Sequence, residues 1–137
     1  MGRRQEEVGV MLYTSYYGNV KRLPKDKYIV VAISGGKPDG FNGPHFKKLA
    51  PSYENFKDYK EGKQSFDKFA ERYKSETLSG LRVPTIVQEI YDMVGVNDPN
   101  VHIVLTCYEK DSTQCHRSLV SKWLTDGGIL TRELILD

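Results

Sequence analysis

Four short apolar runs along the chain predict the strands of a buried sheet. The runs cover residues 8–14, 28–34, 101–107 and 129–136, and the second and third are almost continuously apolar and β-branched. Runs of this kind are typical of strands covered on both faces, as in parallel sheets. A dense turn signal, the glycines and proline of residues 35–40, ends the second run. We therefore expect about four strands in a mainly parallel sheet.

Helical periodicity fills the segments between these runs. Ser52 and Ser65 stand in capping positions ahead of two helices. Pro84 fits the first turn of a third helix, for which Gly95 is the stop signal. A fourth helix is expected over about residues 116–126, where apolar side chains recur at helical spacing.

The alternation of short buried strands with helices predicts an α/β fold of three layers. The first two helices form a helical insertion near residues 49–80 between strands. The chain carries no internal repeat, linker or low-complexity segment, so we expect a single domain over residues 1–137, with residues 1–7 frayed.

Composition places the chain among globular proteins that fold without covalent or metal support. It has 137 residues, 39% hydrophobic and 28% charged, and a chain of this length buries roughly 68% of its unfolded surface. Two cysteines are too few for a disulfide-dense secreted scaffold. No apolar run approaches the ~18 residues of a membrane span, and no signal-peptide pattern precedes the first strand. We expect a cytoplasmic protein with reduced thiols and no membrane partner.

Charge is distributed unevenly, although the formal net charge is only +2. Residues 1–48 carry nine Lys and Arg against four acidic residues, whereas residues 81–137 carry five against eight. Six aromatic residues also lie in the basic part. Cations interleaved with aromatic rings suit phosphates and stacked bases. Lysines that merely solubilise loops around a core give the same pattern, so both interpretations stay open.

In open parallel sheets, ligands bind outside the carboxyl ends of the strands. Three segments fall there, residues 14–19, 34–40 and 107–117. The first offers hydroxyls and an amide for reading a ligand, or for ordinary turn chemistry. The second resembles a phosphate-binding loop only in composition, so a plain turn is the alternative. The binding candidates from these two segments are Thr14, Ser15, Tyr16, Asn19 and Lys37.

The third segment carries the most specific chemistry. Cys107 ends a predicted strand, and Cys115 lies at the start of the following helix, where unpaired N–H groups favour a thiolate. Arg117 can hold a phosphate with two hydrogen bonds. His116 and Glu109 can act as acid and base, or Glu109 can pair with Arg117.

Four interpretations of this segment compete. Cys115 is a nucleophile in a phosphate-reading pocket, or the pocket binds a nucleotide-like ligand without covalent chemistry. Alternatively, the two cysteines and His116 bind a metal, although their spacing matches no CxxC pattern and a fourth ligand must come from Glu109, His45 or His102. Finally, the cysteines are structural and Arg117 holds a loop in place. A redox disulfide is compatible with each interpretation. We predict no cofactor, with zinc or another metal as the alternative.

Three sequence blocks carry a family resemblance: residues 13–19, residues 49–53, and the Cys-x-Glu and Cys-His-Arg motifs within residues 107–117. On these blocks the chain resembles the family called domain of unknown function 488, over about residues 8–126. The resemblance implies a small α/β domain with a polar site at the strand-to-helix junction that bears these motifs. Residues 14–16 read Thr-Ser-Tyr where other members have Gly-His-Ser, so a histidine of those members is not carried over.

The leading functional hypothesis is an enzyme that acts on a phosphate-bearing nucleotide or nucleic-acid substrate. Cys115 would act as the thiolate, Glu109 or His116 would move protons, and Arg117 with Lys37 would bind the anion. The ring of Tyr16 or Tyr17 would pack on a base. The alternative is a non-catalytic module that binds a nucleotide or nucleic acid. The expected partner is an anionic small molecule or nucleic acid in either case.

Overall fold

The computed structural model describes residues 12–95 and 100–135, which contain a four-stranded parallel sheet. The strands stand in the order β2-β3-β1-β4, so the central pair is β3 and β1. The register aligns the carboxyl ends of the central strands, with Tyr16 opposite Cys107. The strands are β1 (Leu12–Tyr16), β2 (Tyr28–Ala32), β3 (His102–Cys107) and β4 (Thr131–Glu133). The prediction of a mainly parallel α/β sheet is confirmed.

The outer strands are shorter than their apolar runs. Strand β2 stops at Ala32, because the backbone of Ala32 also bonds to the loop at Pro44 and Phe46. Strand β4 begins after Ile129, whose N–H donates to the Leu124 carbonyl at the end of the preceding helix. Apolarity alone does not show these competing bonds. Residues 8–11 of the first predicted run lie outside the described residues.

Five helices connect the strands in the described part of the chain. Ser52 and Ser65 accept backbone N–H groups as helix caps, and Gly95 ends a helix in the left-handed conformation at φ 70°. No described helix has the length and apolarity to cross a membrane. The helices are α1 (Tyr17–Val20), α2 (Tyr53–Lys60), α3 (Phe66–Glu76), α4 (Val83–Val94) and α5 (His116–Asp126). Single 3₁₀ turns occur at Lys47–Leu49, Leu78–Gly80 and Ser112–Gln114.

The main core lies between one face of the sheet and the longer helices. Alternate residues of the strands contribute to it, as the period of two requires, and Tyr73 of α3 donates from its hydroxyl to the Leu49 carbonyl at 2.6 Å. The largest buried members are Leu12, Val31, Ile33, Leu49, Ile103, Leu105, Tyr73, Ile86, Ile90 and Leu124.

The other face of the sheet carries a smaller aromatic group. The rings of Tyr13, Tyr28 and His102 lie with their centroids 5.8 to 6.4 Å apart. Helix α1 lies against the ends of β1 and β3. His102, expected to be a core histidine, is half-buried in this aromatic group.

The helical insertion reaches back to the carboxyl ends of the strands. Tyr59 of α2 donates to the Gln114 side chain at 2.8 Å, and Lys60 pairs with Glu109. These two contacts join α2 to the segment between β3 and α5. The insertion therefore forms a wall above the sheet edge at which the sequence predicts a ligand site.

Candidate functional site

A cleft of about 720 Å³ opens between α2 and the carboxyl ends of the central strands. Its walls are mainly aromatic, and three of its rings are well exposed: Tyr53 at 74%, Tyr108 at 47% and Phe56 at 41%. We call it the aromatic cleft. It is lined by Tyr53, Phe56, Tyr59, Phe69, Tyr108, Ser34, Gly35, Gly36, Pro51, Lys60, Glu109, Gln114, Cys107, Cys115 and His116.

Cys107, Cys115 and His116 form the cleft floor. Cys107 is the last residue of β3, and Cys115 immediately precedes α5, so the sheet edge and the helix start bring them together. Both cysteines are buried, and they form a disulfide with a Cα–Cα distance of 7.3 Å. The sequence predicted reduced thiols and allowed a redox disulfide, and the structure has the bonded form.

His116 is a neutral hydrogen-bond acceptor toward the cysteines. Its Nε2 lies 2.8 Å from the Ile33 carbonyl, which can only accept, so Nε2 carries the proton. Its Nδ1 therefore has a free lone pair, 3.8 Å from the Cys115 sulfur. Burial lowers the pKa of His116 to about 4, with the nearby Arg117 charge acting in the same direction and the Ile33 bond opposing it. At neutral pH this imidazole is therefore uncharged, with a bare Nδ1 and with its Nε2 proton held by the Ile33 carbonyl.

Arg117 is fully buried, and its donors are all used inside the protein. Its Nε and Nη2 bind the Glu133 carboxylate at 3.0 and 2.9 Å. Nη1 donates to the Cys107 sulfur at 3.3 Å and to the Glu109 carbonyl, and Nη2 also donates to the Lys110 carbonyl. The predicted phosphate contact by Arg117 therefore does not fit. The guanidinium instead fixes the segment after β3, as one of the competing interpretations held.

Glu109 stands at the mouth of the aromatic cleft rather than on its floor. Its carboxylate pairs with Lys60, and both side chains are about a third to two-fifths exposed. It was expected to pair with Arg117 if it was not catalytic, but that arginine is taken by Glu133. Glu109 can therefore exchange protons with a ligand at the mouth, and Lys60 is the lysine among the described cleft residues.

The polar residues that follow β1 have internal partners. The Thr14 hydroxyl donates to Glu133 at 2.7 Å. The Asn19 amide donates to the Ser15 hydroxyl at 3.0 Å and accepts from Arg22 at 2.7 Å. Thr14, Ser15 and Asn19 are all buried and do not line the aromatic cleft. Their predicted binding role gives way to one of stabilising the end of β1.

Tyr16 and Lys37 also lie away from the cleft lining. The Tyr16 ring covers the Arg117 guanidinium, with 5.6 Å between the Arg117 Cζ and the ring centroid. The Lys37 ammonium lies 5.7 Å from the centroid of the Phe41 ring. Neither position supports the predicted contact with a base or an anion, although Gly35 and Gly36 beside Lys37 do reach the cleft.

Sequence reasoning missed the aromatic contribution of α2. Tyr53, Phe56 and Tyr59 follow each other at intervals of three residues, which places them along one side of a helix. An aromatic stripe of this kind is usually buried in a core, yet here it lines an open cleft. The exposure of Tyr53, which distinguishes a cleft wall from a core stripe, is evident only from the fold.

The cleft floor also has the composition of a metal site. The two sulfurs and one imidazole nitrogen all lie within 4.8 Å of one another, and all three residues are buried. The additional ligands considered from the sequence are elsewhere: His45 bonds to the Ser34 carbonyl at 2.6 Å, and His102 lies on the other face of the sheet.

Comparison with known proteins identifies the family. The model of DUF488-N3a, described as the active DUF488-N3 subclade, matches residues 16–128. No curated protein and no solved structure matches the chain. The matched range contains the aromatic cleft and its floor, and it agrees with the resemblance found in the sequence motifs. The chain therefore belongs to the DUF488 family, in its N3a subclade.

Proposed function

We propose that this protein is an enzyme that acts on a nucleotide or nucleic-acid substrate, with a base held in the aromatic cleft against the cleft floor. The observation that carries the proposal is the meeting of exposed aromatic walls with a buried Cys/Cys/His group in one cavity. The walls supply binding and the floor supplies the reactive atoms.

The walls suit a flat ring. Tyr53 and Phe56 expose a large part of their surfaces to solvent, and Tyr108, which also lines the cleft, is 47% exposed. Stacking of a base on an aromatic side chain is worth about 1–3 kcal/mol. A planar ligand entering the cleft would cover these rings, and polar groups at the mouth would meet its edges.

A charged phosphate is best placed at the cleft mouth. Because Arg117 is committed to Glu133, the cation available among the described cleft residues is Lys60. Lys60 is held by Glu109, so an incoming phosphate would compete with that carboxylate. This position keeps the phosphate in water while the base occupies the apolar interior.

The reactive form of the floor is the reduced one. A Cys115 thiolate is favoured by the N–H groups at the start of α5, and the uncharged His116 Nδ1 lies beside the sulfur at 3.8 Å. Cys107 accepts a hydrogen bond from Arg117, which stabilises negative charge on that sulfur as well. Glu109 is placed to exchange protons with the leaving part of the substrate.

The first experiment tests whether the cleft binds nucleotides. It measures binding of ribonucleoside monophosphates and of a short single-stranded oligonucleotide to the reduced protein. Tyr53→Ala or Phe56→Ala should weaken the free energy of binding by about 1–3 kcal/mol. Met93→Ala is the control, because Met93 is as exposed as Phe56 but lies outside the cleft. Failure of every nucleotide and of the oligonucleotide to bind would refute the proposal.

Product formation tests the second half of the proposal. Mass spectrometry of each bound nucleotide after incubation with reduced protein should show a changed base or a broken bond, and Cys115→Ser should retain binding but form no product. Binding without any product from the reduced wild-type protein would instead favour the non-catalytic binding module.

A further inference from the structure

We propose that Cys107, Cys115 and His116 form a zinc site whose fourth coordination position opens into the aromatic cleft. This proposal deepens the proposed function, on which it rests only for the use of the open position. The metal site itself rests on the positions of its three ligands and of the groups behind them.

One pair of the three ligand atoms already has the spacing of a tetrahedral site. In such a site, Zn–S bonds of about 2.3 Å and Zn–N bonds of about 2.0 Å place neighbouring ligand atoms roughly 3.6 Å apart. The Cys115 sulfur and His116 Nδ1 are already 3.8 Å apart. All three ligand atoms lie within 4.8 Å of one another, so reduction of the disulfide and separation of the two sulfurs complete the arrangement.

The backbone separation of the two cysteines also favours a metal between them. Their Cα atoms are 7.3 Å apart, whereas Cα atoms of disulfide-bonded cysteines are usually about 4.4–6.8 Å apart. A zinc ion separates two sulfurs by almost twice the length of a disulfide bond, roughly 3.8 Å. The observed backbone therefore accommodates a sulfur–zinc–sulfur bridge without closing the strand end onto the helix.

The groups behind the ligands are those that a zinc site requires. His116 donates from Nε2 to the Ile33 carbonyl, which fixes the tautomer and aims Nδ1 at the sulfurs. Cys107 accepts a hydrogen bond from the buried Arg117, which stabilises negative charge on that sulfur. Supporting bonds of this kind orient metal ligands and tune the charge at the metal.

Three protein ligands leave one position free. Within residues 12–95 and 100–135, no further His, Cys, Asp or Glu joins this group. Glu109 is held by Lys60 at the mouth. Catalytic zinc sites keep an open position for water or substrate, whereas structural sites are closed by four protein ligands. Here the open position faces the aromatic cleft, where a bound base would supply a ring atom or meet a zinc-bound water.

Loading the site from the disulfide form is a balanced reaction. A dithiol reductant transfers two electrons and two protons to the Cys107–Cys115 disulfide and itself becomes a disulfide. Zn²⁺ then displaces the two thiol protons and binds both thiolates and the neutral imidazole.

The test uses the full chain, reduced and freed of metal, and measures Zn²⁺ affinity by competition with a chromophoric chelator. We expect one tightly bound ion in the wild-type protein. Cys107→Ser, Cys115→Ser and His116→Gln should each weaken binding by more than the roughly 10–100-fold that loss of a supporting bond costs. His45→Gln is the control and should bind as the wild type does, because His45 lies outside the group.

Co²⁺ spectroscopy of the wild-type protein makes the result independent of whether the variants fold. Thiolate-to-cobalt charge-transfer bands with tetrahedral ligand-field bands are expected. Their absence, or equal Zn²⁺ affinity in wild-type protein and both serine variants, would overturn the zinc site. Tight zinc binding together with no nucleotide binding would leave the zinc site standing and refute the proposed function.

Discussion

Arg117 shows at the scale of a single residue how a motif residue can be structural. Arginine beside two cysteines at a helix start suggests an anion site, because its planar fork matches a phosphate. In the fold, a carboxylate from β4 and two carbonyls after β3 occupy that fork. No sequence rule identifies Glu133, sixteen residues away, as the partner. Its position became evident only from the pairing of β1 with β4.

The pair between the buried Arg117 and the partly exposed Glu133 gives a first prediction. Arg117→Met should lower the free energy of unfolding by about 3–5 kcal/mol, because it leaves Glu133 and two carbonyls without their buried donor. Chemical denaturation measures the change. Lys122→Met is the control: it removes an exposed pair with Asp126, which is worth about 0.3–0.5 kcal/mol. Equal effects of the two substitutions would contradict the structural role of Arg117.

At the scale of elements, the start of α5 directs three consecutive side chains to three different parts of the fold. Cys115 precedes the helix and faces the cleft, His116 bonds to the end of β2, and Arg117 reaches β4. The bounds of α5 were predictable because Gly127 and the apolar spacing mark them. The side-chain directions were not predictable, since they depend on which strand lies beside the helix start.

The helical insertion was also predictable as helices, because Ser52 and Ser65 are strong caps ahead of periodic sequence. Its role as a wall of the cleft was not predictable. That role depends on long-range contacts, Tyr59 with Gln114 and Lys60 with Glu109. Local propensity carries no information on such pairs.

The cap of α3 gives a second prediction. Ser65 accepts the Lys68 N–H at 3.1 Å, so Ser65→Ala should cost about 1 kcal/mol of stability. Ser75→Ala serves as the matched control, since Ser75 is exposed within the same helix and should change the free energy of unfolding by less than about 0.5 kcal/mol. A Ser65 variant as stable as the Ser75 variant would show that the cap contributes nothing.

At the scale of the whole molecule, the parallel sheet followed from the chain pattern. Continuous β-branched runs separated by helices leave few other arrangements. A cleft does lie at the carboxyl edge of the sheet, but the polar residues predicted after β1 do not line it. The buried side chains of Thr14, Ser15 and Asn19 form hydrogen bonds inside the protein. A buried polar group without such a partner is costly, so these side chains are not free to bind a ligand.

The charge distribution yields a third prediction. The basic amino-terminal part suggested extensive phosphate contact, but within the described residues Lys60 is the lysine that lines the cleft. Oligonucleotide binding should therefore show a shallow salt dependence, with a slope of log affinity against log salt of about −0.7, as for one neutralised phosphate on a single strand. Lys60→Gln should bring the slope close to zero. A slope several times steeper would indicate that the nucleic acid binds the basic residues of the amino-terminal part instead.

An amide and side-chain NMR titration of the reduced protein with a ribonucleoside monophosphate tests whether a nucleotide binds in the aromatic cleft. We expect the largest chemical-shift changes at Tyr53, Phe56, Tyr108 and the cleft floor, and smaller changes at Lys60. We also expect that Tyr13 and Tyr28, on the opposite face of the sheet, do not respond. Shift changes centred on that opposite face, or none at saturating nucleotide, would contradict nucleotide binding in the aromatic cleft.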